Sequence, residues 1–260
     1  MQPPLLELNN VSIARGDRVA LRQVTLRVSV GEHTAILGPN GSGKSTLIKT
    51  INRECYPLLE DPDSRIRLFG RDRWHVFELR SLLGIVTQDL VDAYKRDFTG
   101  REVILSGFFS SVGVWPHHEV TAAMRDKAEE VLRLMEVEHL ADRPMDELST
   151  GEARRLLIGR ALVHEPQALL LDEPTNSLDL RALYELREIL RKLVGRGITL
   201  LLVTHHLPDV IPEIGRVILL KDGQVFRDGP KADVLTSGSL SELFGLPVQL
   251  QEQDGYYHLW

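Results

Sequence analysis

The sequence predicts an α/β fold with a mostly parallel sheet at its core, an N-terminal antiparallel β subdomain and a helical subdomain. Near-continuous runs of leucine and β-branched residues are typical of strands buried on both faces of a parallel sheet. These runs lie at Thr34–Leu37, Leu169–Leu171, Thr199–Val203 and Val217–Leu220. Between them, apolar residues recur at spacings of three and four, which indicates amphipathic helices. The predicted helices cover Thr121–Glu136, Gly151–His164 and Arg181–Leu193.

The remaining elements follow from alternation and from turn residues. Leu5–Ile13 and Thr25–Val30 alternate between apolar and polar residues, as half-exposed antiparallel strands do. Asp222-Gly223 lies between two short apolar runs and is typical of a hairpin turn. Glycine, serine, tryptophan and proline concentrate at Gly107–Pro116, which we expect to separate two helices.

A glycine-rich segment follows the first buried strand and leads into the helical run Leu47–Ile51. Its residues are Gly38, Pro39, Asn40, Gly41, Ser42, Gly43, Lys44, Ser45 and Thr46. The glycines let the backbone curl so that successive amides point inward at a helix N-terminus, where the helix dipole also favours an anion. Lys44 adds a charge for the β- and γ-phosphates, and Ser45 can offer its hydroxyl to Mg²⁺. The competing interpretation, a turn that only caps the helix, is disfavoured by the strand before it and the helix after it.

Two adjacent acids, Asp172 and Glu173, follow a buried leucine run and precede Pro174. A core strand does not carry two carboxylates without a reason. Because adjacent strand residues point to opposite sides, we expect the two acids to have different roles. Asp172 is predicted to face Mg²⁺ through a bound water, and Glu173 to orient or deprotonate a water that attacks the γ-phosphate. A merely polar strand end is the alternative.

Composition limits the classes to which the chain can belong. Its 260 residues are enough for one globular domain, and a formal net charge of −6 argues against a nucleic-acid surface. The single cysteine, Cys55, cannot form an internal disulfide, so a reducing cytosol is the expected compartment. The apolar runs are far shorter than the ~20 residues of a membrane helix, and Met1–Leu8 does not resemble a signal peptide.

The segment Leu148-Ser149-Thr150-Gly151-Glu152 resembles the signature sequence of ABC ATPases, whose usual form is L-S-G-G-Q. In that family the element binds the γ-phosphate held by the other protomer. The resemblance therefore implies that Ser149 and Gly151 contact ATP across a homodimer containing two ATP molecules. Thr150 and Glu152 depart from the usual glycine and glutamine. Because Glu152 brings negative charge near a phosphate, we expect a weaker contact unless its side chain points away.

Three further positions match the family in order, and Arg15 departs from its pattern. Gln88 resembles the Q-loop glutamine, which contacts Mg²⁺ or the attacking water. Ser177-Leu178-Asp179 resembles the D-loop, which crosses the dimer interface. His205 resembles the switch histidine that bonds the γ-phosphate and steadies Glu173, whereas its neighbour has no assigned role. Arg15 stands where the family commonly has an aromatic residue that stacks on adenine, and a guanidinium can also stack on the ring.

The resemblance covers nearly the whole chain from Leu5 to about Gly229 and implies a P-loop NTPase with a RecA-like core. We expect residues 1–260 to form a single ABC ATPase domain. Residues 1–87 and 166–229 are predicted to form the catalytic core with the antiparallel subdomain, and residues 88–165 the helical subdomain. Residues 230–260 are predicted to form a helical or extended tail.

The resemblance implies that the chain is the ATP-hydrolysing subunit of a transporter and that it uses ATP and Mg²⁺. Such a subunit lies in the cytoplasm, peripheral to the membrane, and is bound to a permease. Phe98, Phe108, Phe109 and Trp115 are candidates for the groove that receives the permease, with core packing as the alternative. Glu102–Gly113 is similar to ATPases of molybdate and iron-complex import systems. The alternative function is a soluble ABC ATPase acting on nucleic acid or ribosomes. The long coiled-coil insertions and fused second domains of such relatives do not occur here, and we expect no nucleic-acid partner.

Overall fold

The computed structural model describes residues 3–58, 63–94 and 98–260. Its strands, in chain order, are β1 (Pro4–Arg15), β2 (Arg18–Ser29), β3 (Thr34–Leu37), β4 (Arg65–Leu68), β5 (Leu83–Val86), β6 (Ala168–Asp172), β7 (Thr199–Thr204), β8 (Arg216–Lys221), β9 (Gln224–Pro230), β10 (Leu250–Gln253) and β11 (Tyr256–Leu259). Its α-helices are α1 (Lys44–Ile51), α2 (Val76–Leu82), α3 (Gln88–Ala93), α4 (Gly100–Ser106), α5 (Ala122–Leu134), α6 (Thr150–Leu162), α7 (Leu180–Gly195), α8 (Lys231–Val234) and α9 (Ser237–Phe244).

The chain divides into two compact units. Unit 1 contains Met1–Trp74 and Thr199–Trp260, and unit 2 contains His75–Ile198. The predicted helical segment 88–165 therefore falls in unit 2, together with residues 166–198, which the sequence division assigned to the catalytic core. The subdomain borders drawn from the sequence remain a prediction.

Unit 1 contains the predicted antiparallel sheet at the N-terminus. Its strands lie in the order β2-β1-β4, and both pairings are antiparallel. Alternate residues of β2 from Val24 to Val28 are buried and those between them are exposed, as expected for a sheet with one face on the core. The antiparallel prediction for this region is confirmed.

Unit 1 also holds four neighbouring strands in the order β7-β3-β8-β9. The short strand β3 is buried along its whole length and pairs in parallel with β7 on one side and β8 on the other. β9 returns antiparallel to β8 through Asp222 and Gly223, whose φ angles are 50° and 79°. Two successive positive φ angles are typical of a tight hairpin turn, which confirms the predicted turn.

Unit 2 combines a parallel strand pair with helices whose starts are fixed by side-chain caps. β5 pairs in parallel with β6, so that Val86 lies opposite Leu171. Thr121 caps α5 and Asp179 caps α7 by accepting hydrogen bonds from the backbone of the first turn. The two helices predicted in these segments are confirmed. Their capping residues and their apolar spacing indicate the same starting points.

The C-terminal segment of unit 1 contains α8, α9 and the antiparallel hairpin of β10 and β11, in which Leu250 pairs with Leu259. A Cβ atom at Gly255, in the hairpin turn, would lie 2.9 Å from the side chain of Pro212. The hairpin turn therefore packs closely against Pro212, in the same unit. Among the helices of the described residues, none has the length and the apolar composition needed to cross a membrane.

Candidate functional site

The glycine-rich segment forms a loop between β3 and α1, as predicted. Gly43 is the N-cap of α1, with a φ of 106° in the left-handed region that favours glycine. The first turn of the helix, Lys44 to Thr46, carries no carboxylate. Its backbone amides and the positive end of the helix dipole therefore point toward a region suited to an anion.

The loop is held from outside by the turn between β8 and β9. The amide of Gly223 donates to the carbonyl of Ser42 over 3.0 Å, and the carbonyl of Gly223 accepts from the amide of Arg22 over 2.8 Å. A Cβ at Gly43 would lie 2.8 Å from the carbonyl oxygen of Ala20, so glycine is required there for packing as well as for its φ angle. The sequence identified the turn but not this contact, which joins segments far apart in the chain.

Lys44 and Ser42 of the loop are buried, although both side chains are polar. Lys44 is 7% exposed, and its Nζ donates to the carbonyl oxygens of Gly38, over 2.7 Å, and Pro39, over 3.2 Å. Ser42 is 2% exposed, and its Oγ has no hydrogen-bond partner within the described part of the chain. A buried hydroxyl without a partner costs about 1–3 kcal/mol. The loop residues therefore fit a phosphate, whose oxygens accept hydrogen bonds from the hydroxyl and from the lysine.

His205 lies beside this loop at the same edge of the unit 1 strands. Leu37, from which the loop departs, pairs with Thr204, the residue before His205. The turn after β7 is fixed by a 2.5 Å hydrogen bond from the buried Thr204 hydroxyl to Asp209. His205 is half-buried, whereas His206, which the sequence left without a role, is exposed.

Arg15 lies in the same unit but at the end of a different sheet. It is exposed at the turn between β1 and β2, where it pairs in register with Arg18. The exposed guanidinium leaves its planar face available for stacking. Its stacking on adenine remains a prediction.

In unit 2 the parallel pairing of β5 and β6 brings three predicted residues to one edge. Val86 lies opposite Leu171, so Gln88 and the Asp172-Glu173 pair both follow the carboxyl ends of neighbouring strands. Such edges are where α/β proteins place their ligands.

Asp172 is the last residue of β6, and Glu173 stands just beyond it with a φ of 46°. The sequence argument that neighbouring strand residues alternate therefore does not extend to Glu173. Its direction is set by the following turn, in which its carbonyl accepts from the amide of Asn176 over 3.1 Å. A non-glycine residue in this region costs of order 1–3 kcal/mol, and such residues cluster at functional sites.

Gln88 is the first residue of α3, and a residue that the sequence reasoning missed contacts it. Its Oε1 accepts a hydrogen bond from Nη2 of Arg154 over 3.1 Å. Arg154 is only 1% exposed, although it is charged. The signal was present in the helical spacing, because Arg154 falls between Gly151 and Ile158 on the buried face of α6.

Ser149 is the N-cap of α6 and forms a reciprocal capping box with Glu152. Ser149 Oγ accepts from the amide of Glu152 over 3.3 Å and donates to Glu152 Oε2 over 2.7 Å, and the Ser149 amide donates to the same Oε2 over 2.8 Å. The hydroxyl of Ser149 is the main cause of a lowered pKa of the Glu152 carboxyl. The Glu152 side chain therefore points at Ser149 and not away from it, which resolves the question that the sequence left open.

Gly151 and the segment Ser177–Asp179 lie beside this cap. A Cβ at Gly151 would come within 2.6 Å of the Cβ of Ala182, so glycine allows the starts of α6 and α7 to approach. Ser177 has a φ of 65°, and Asp179 Oδ1 accepts from the amide of Ala182 over 2.8 Å. Ser149, Gly151 and Asp179 line an open cavity of about 470 Å³ within unit 2.

The four aromatic residues differ in their exposure. Phe98, Phe108 and Phe109 are half-buried and contact other rings of unit 2, such as the stacking of Phe109 on His118 with ring centroids 4.1 Å apart. Trp115 is 47% exposed. Packing within the unit therefore accounts for much of the surface of the three phenylalanines, and Trp115 offers the largest open ring.

Comparison with known proteins gives consistent matches. A family model described as ABC transporter matches residues 21–176. The hemin import ATP-binding protein HmuV of Aliivibrio fischeri (strain ATCC 700601 / ES114) is 32% identical over 253 residues, which cover 95% of this chain and 92% of that protein.

Two solved structures extend the similarity to the fold. One is the ADP conformation of an ATP-binding cassette of an ABC transporter, with 27% identity, a TM-score of 0.77 and coverage of 93% of this chain and 98% of that chain. The other is the dimeric post-hydrolysis state of an ATP-binding cassette bound to ADP and Pi, with 29% identity, a TM-score of 0.70 and coverage of 86% and 98%. The predicted fold class is confirmed, and the matches favour transport over the nucleic-acid alternative.

Proposed function

The chain belongs to the ABC transporter family of ATP-binding cassettes, and from this premise we propose that it hydrolyses ATP to close a homodimer and thereby drives a separate membrane permease. The observation that carries the proposal is the phosphate loop, where Lys44 lies buried over the loop carbonyls and the buried Ser42 hydroxyl lacks a partner within the described residues. A triphosphate is the ligand that satisfies both groups.

Several side chains have proposed binding roles. Lys44 contacts the β- and γ-phosphates, and the amides from Gly38 to Thr46 surround them. Ser45, Asp172 and Gln88 are the proposed Mg²⁺ ligands, Asp172 through a water, because Mg²⁺ prefers oxygen ligands and keeps much of its water. Bound Mg²⁺ supplies neutralisation of the charge that develops on the phosphate oxygens.

The proposed chemistry is in-line attack by water on the γ-phosphorus. The new bond forms between the water oxygen and phosphorus, the bond to the β–γ bridging oxygen breaks, and ADP and phosphate are released. Glu173 orients the water and accepts its proton, while His205 hydrogen-bonds the γ-phosphate.

Dimer closure is the proposed step that couples binding to transport. Ser149 and Gly151 of one subunit bind the γ-phosphate of the ATP held by the other, and Arg15 stacks on adenine. A dimeric post-hydrolysis cassette among the similar structures supports this arrangement. We place the protein at the cytoplasmic face of the membrane, bound to a permease.

The Glu152 carboxylate competes with the γ-phosphate for the hydroxyl of Ser149, which the proposed dimer requires. This competition leads to a prediction. Glu152→Gln is expected to tighten the ATP-dependent dimer about tenfold, because a neutral amide holds the Ser149 hydroxyl less strongly and does not repel a phosphate. The measurement is the dimer dissociation constant by analytical ultracentrifugation with Mg²⁺ and ATP, in a chain that also carries Glu173→Gln to prevent turnover.

Glu102→Gln is the matched control for this experiment. Thr99 and Glu102 form an equivalent capping box at the start of α4, so the substitution makes the same chemical change at a helix with no proposed role in ATP binding. An unchanged or weaker dimer with Glu152→Gln would show that the carboxylate does not oppose closure.

Transport itself is tested with the tagged chain in native membranes. We expect cross-linking and purification to recover an integral-membrane protein in stoichiometric amount, and we expect that protein to stimulate ATP hydrolysis on reconstitution. Recovery with ribosomes or DNA, and without a membrane partner, would replace transport by the nucleic-acid alternative.

A further inference from the structure

The segment that joins β7 to β8 carries His205 along the length of the unit 1 strands. Residues 205–215, here called the crossing segment, begin beside Leu37, from which the phosphate loop departs, and end beside Thr34, at the other end of β3. All of these residues are described, and the 3₁₀ helix Leu207–Asp209 is the only regular element among them. The backbone groups of the crossing segment therefore need partners from other parts of the chain.

The start of the crossing segment is held by a buried hydroxyl. Thr204 Oγ1 donates to the carboxylate of Asp209 over 2.5 Å and accepts from the amide of His206 over 3.0 Å. The amide of Asp209 in turn donates to the carbonyl of His206 over 3.2 Å, and Leu207 and Asp209 are both buried. The turn that carries His205 is thus fixed to the 3₁₀ helix, and a shift of this helix would move His205.

The C-terminal hairpin packs on the same part of the crossing segment. β11 lies against the 3₁₀ helix, and the turn of the hairpin meets Pro212 at Gly255. Val210 and Ile211, between these two contacts, are fully buried. The hairpin therefore limits the positions that the crossing segment can take.

Lys231, the first residue of α8, ties the same hairpin to the backbone of the crossing segment. Its Nζ donates to the carbonyl oxygen of Pro212 over 3.0 Å and lies 3.5 Å from that of Ile211. The ammonium also lies 5.6 Å from the centre of the Tyr257 ring, which is buried in β11. Hydrogen bonds from charged donors are about twice as strong as those between neutral groups. One ammonium thus joins the crossing segment, α8 and β11.

We propose that Lys231 and the β10–β11 hairpin position His205 for the γ-phosphate by holding the crossing segment in place. Lys231 is a positioning residue, because it acts through the backbone of the crossing segment. The bond from His205 strengthens as charge develops on the γ-phosphate, so the effect falls on the rate of hydrolysis more than on ATP affinity. The proposal rests on the proposed function, in which His205 bonds the γ-phosphate.

The first test is Lys231→Met, which keeps an unbranched side chain beside Tyr257 but removes the donors. We expect kcat for ATP hydrolysis to fall about tenfold, while the dissociation constant for ATP stays within about twofold. Lys231→Arg keeps a charged donor and should restore most of the rate. Phosphate release at saturating Mg²⁺-ATP measures kcat, and calorimetry measures the affinity. An unchanged kcat in folded Lys231→Met would overturn the proposal.

A double-mutant cycle separates positioning from general stability. In a chain that carries His205→Ala, adding Lys231→Met should lower the residual rate no further, because the imidazole that Lys231 positions is gone. An equal loss in the presence and absence of His205 would make Lys231 a purely structural residue and would overturn the proposal.

The imidazole signals in a ¹H–¹³C NMR spectrum test the position of His205 without nucleotide. The His205 signal is identified by its loss in His205→Ala, and we expect Lys231→Met to shift it. An unshifted signal would overturn the proposal. Should Lys231→Met fail to fold, Tyr257→Leu removes the ring beside the ammonium, and the same shift is expected and the same outcome decides.

Arg227→Met is the control. Arg227 of β9 also lies over an aromatic ring, that of Phe226, and bonds Glu242 of α9 over 3.1 Å, so it contacts the C-terminal segment away from the turn after His205. It should leave kcat and the His205 signal unchanged. If the reference chain hydrolysed no ATP, the proposed function would fail, whereas the NMR spectrum would still decide whether the C-terminal segment holds His205.

Discussion

Glu173→Gln is expected to lower the rate of ATP hydrolysis about a thousandfold while ATP affinity stays within about twofold. A positioned general base contributes roughly 10²- to 10⁴-fold to catalysis, and an amide cannot accept the proton of the attacking water. Glutamine has the same length and suits the turn at a φ of 46° about as well as glutamate does. Phosphate release at saturating Mg²⁺-ATP measures the rate, and calorimetric titration measures the affinity. We also expect the ATP-bound dimer to accumulate.

The control for this variant is Glu165→Gln. Glu165 is another glutamate in the left-handed region, with a φ of 52°, but it pairs with Lys127 on the surface of unit 2. Glu165→Gln therefore makes the same change from a carboxylate to an amide at a positive φ, but away from the proposed chemistry. It should leave the rate of ATP hydrolysis unaltered. Normal hydrolysis with Glu173→Gln would remove Glu173 from the role of base.

Lys44→Ala is expected to weaken ATP binding at least about a hundredfold. Its buried ammonium is the proposed partner of two phosphates, and hydrogen bonds to charged groups contribute about 1.5–3 kcal/mol each. The loss of about 2.7 kcal/mol corresponds to a factor of a hundred. The measurement is the dissociation constant for ATP by calorimetry at a fixed salt concentration.

Lys49→Ala removes the same charge from the last turn of the same helix and serves as the control. Lys49 is far from the helix N-terminus, so its loss should change ATP affinity by less than about threefold. Thermal unfolding of both variants separates lost affinity from lost structure, because Lys44 also bonds the carbonyl oxygens of Gly38 and Pro39. Normal affinity in folded Lys44→Ala would mean that the triphosphate lies elsewhere.

The elements that the sequence predicted best are those whose signals are local. The leucine and β-branched runs predict the buried strands because strands covered on both faces need apolar side chains at every position. The helices at α5 and α7 start where a capping threonine or aspartate precedes apolar spacing. The phosphate loop could be recognised because glycines, lysine and serine occur together at one strand-to-helix junction.

The features that the sequence did not predict depend on contacts between distant segments. Arg154 was missed by the sequence reasoning, because its contact with Gln88, 66 residues away in the chain, is known only from the fold. The alternation rule suggested a direction for Glu173, yet the strand ends one residue earlier and a left-handed turn takes over. The direction of the Glu152 side chain depends on whether it forms a capping box with Ser149. The amino-acid sequence is compatible with a side chain that forms this box and with one that points away.

The hydrogen bonds from the β8–β9 turn to the phosphate loop have a thermodynamic consequence. Gly223 bonds both Ser42 and Arg22, so the curvature of the loop is established when the sheet assembles. A ligand that meets a rigid cradle loses little conformational entropy of the receptor on binding, and more of its contact energy remains as affinity. Under the proposed function, nucleotide affinity is linked to the folding stability of a hairpin that is remote from the loop in sequence. Selection can then tune binding at this hairpin without changing any residue proposed to contact phosphate.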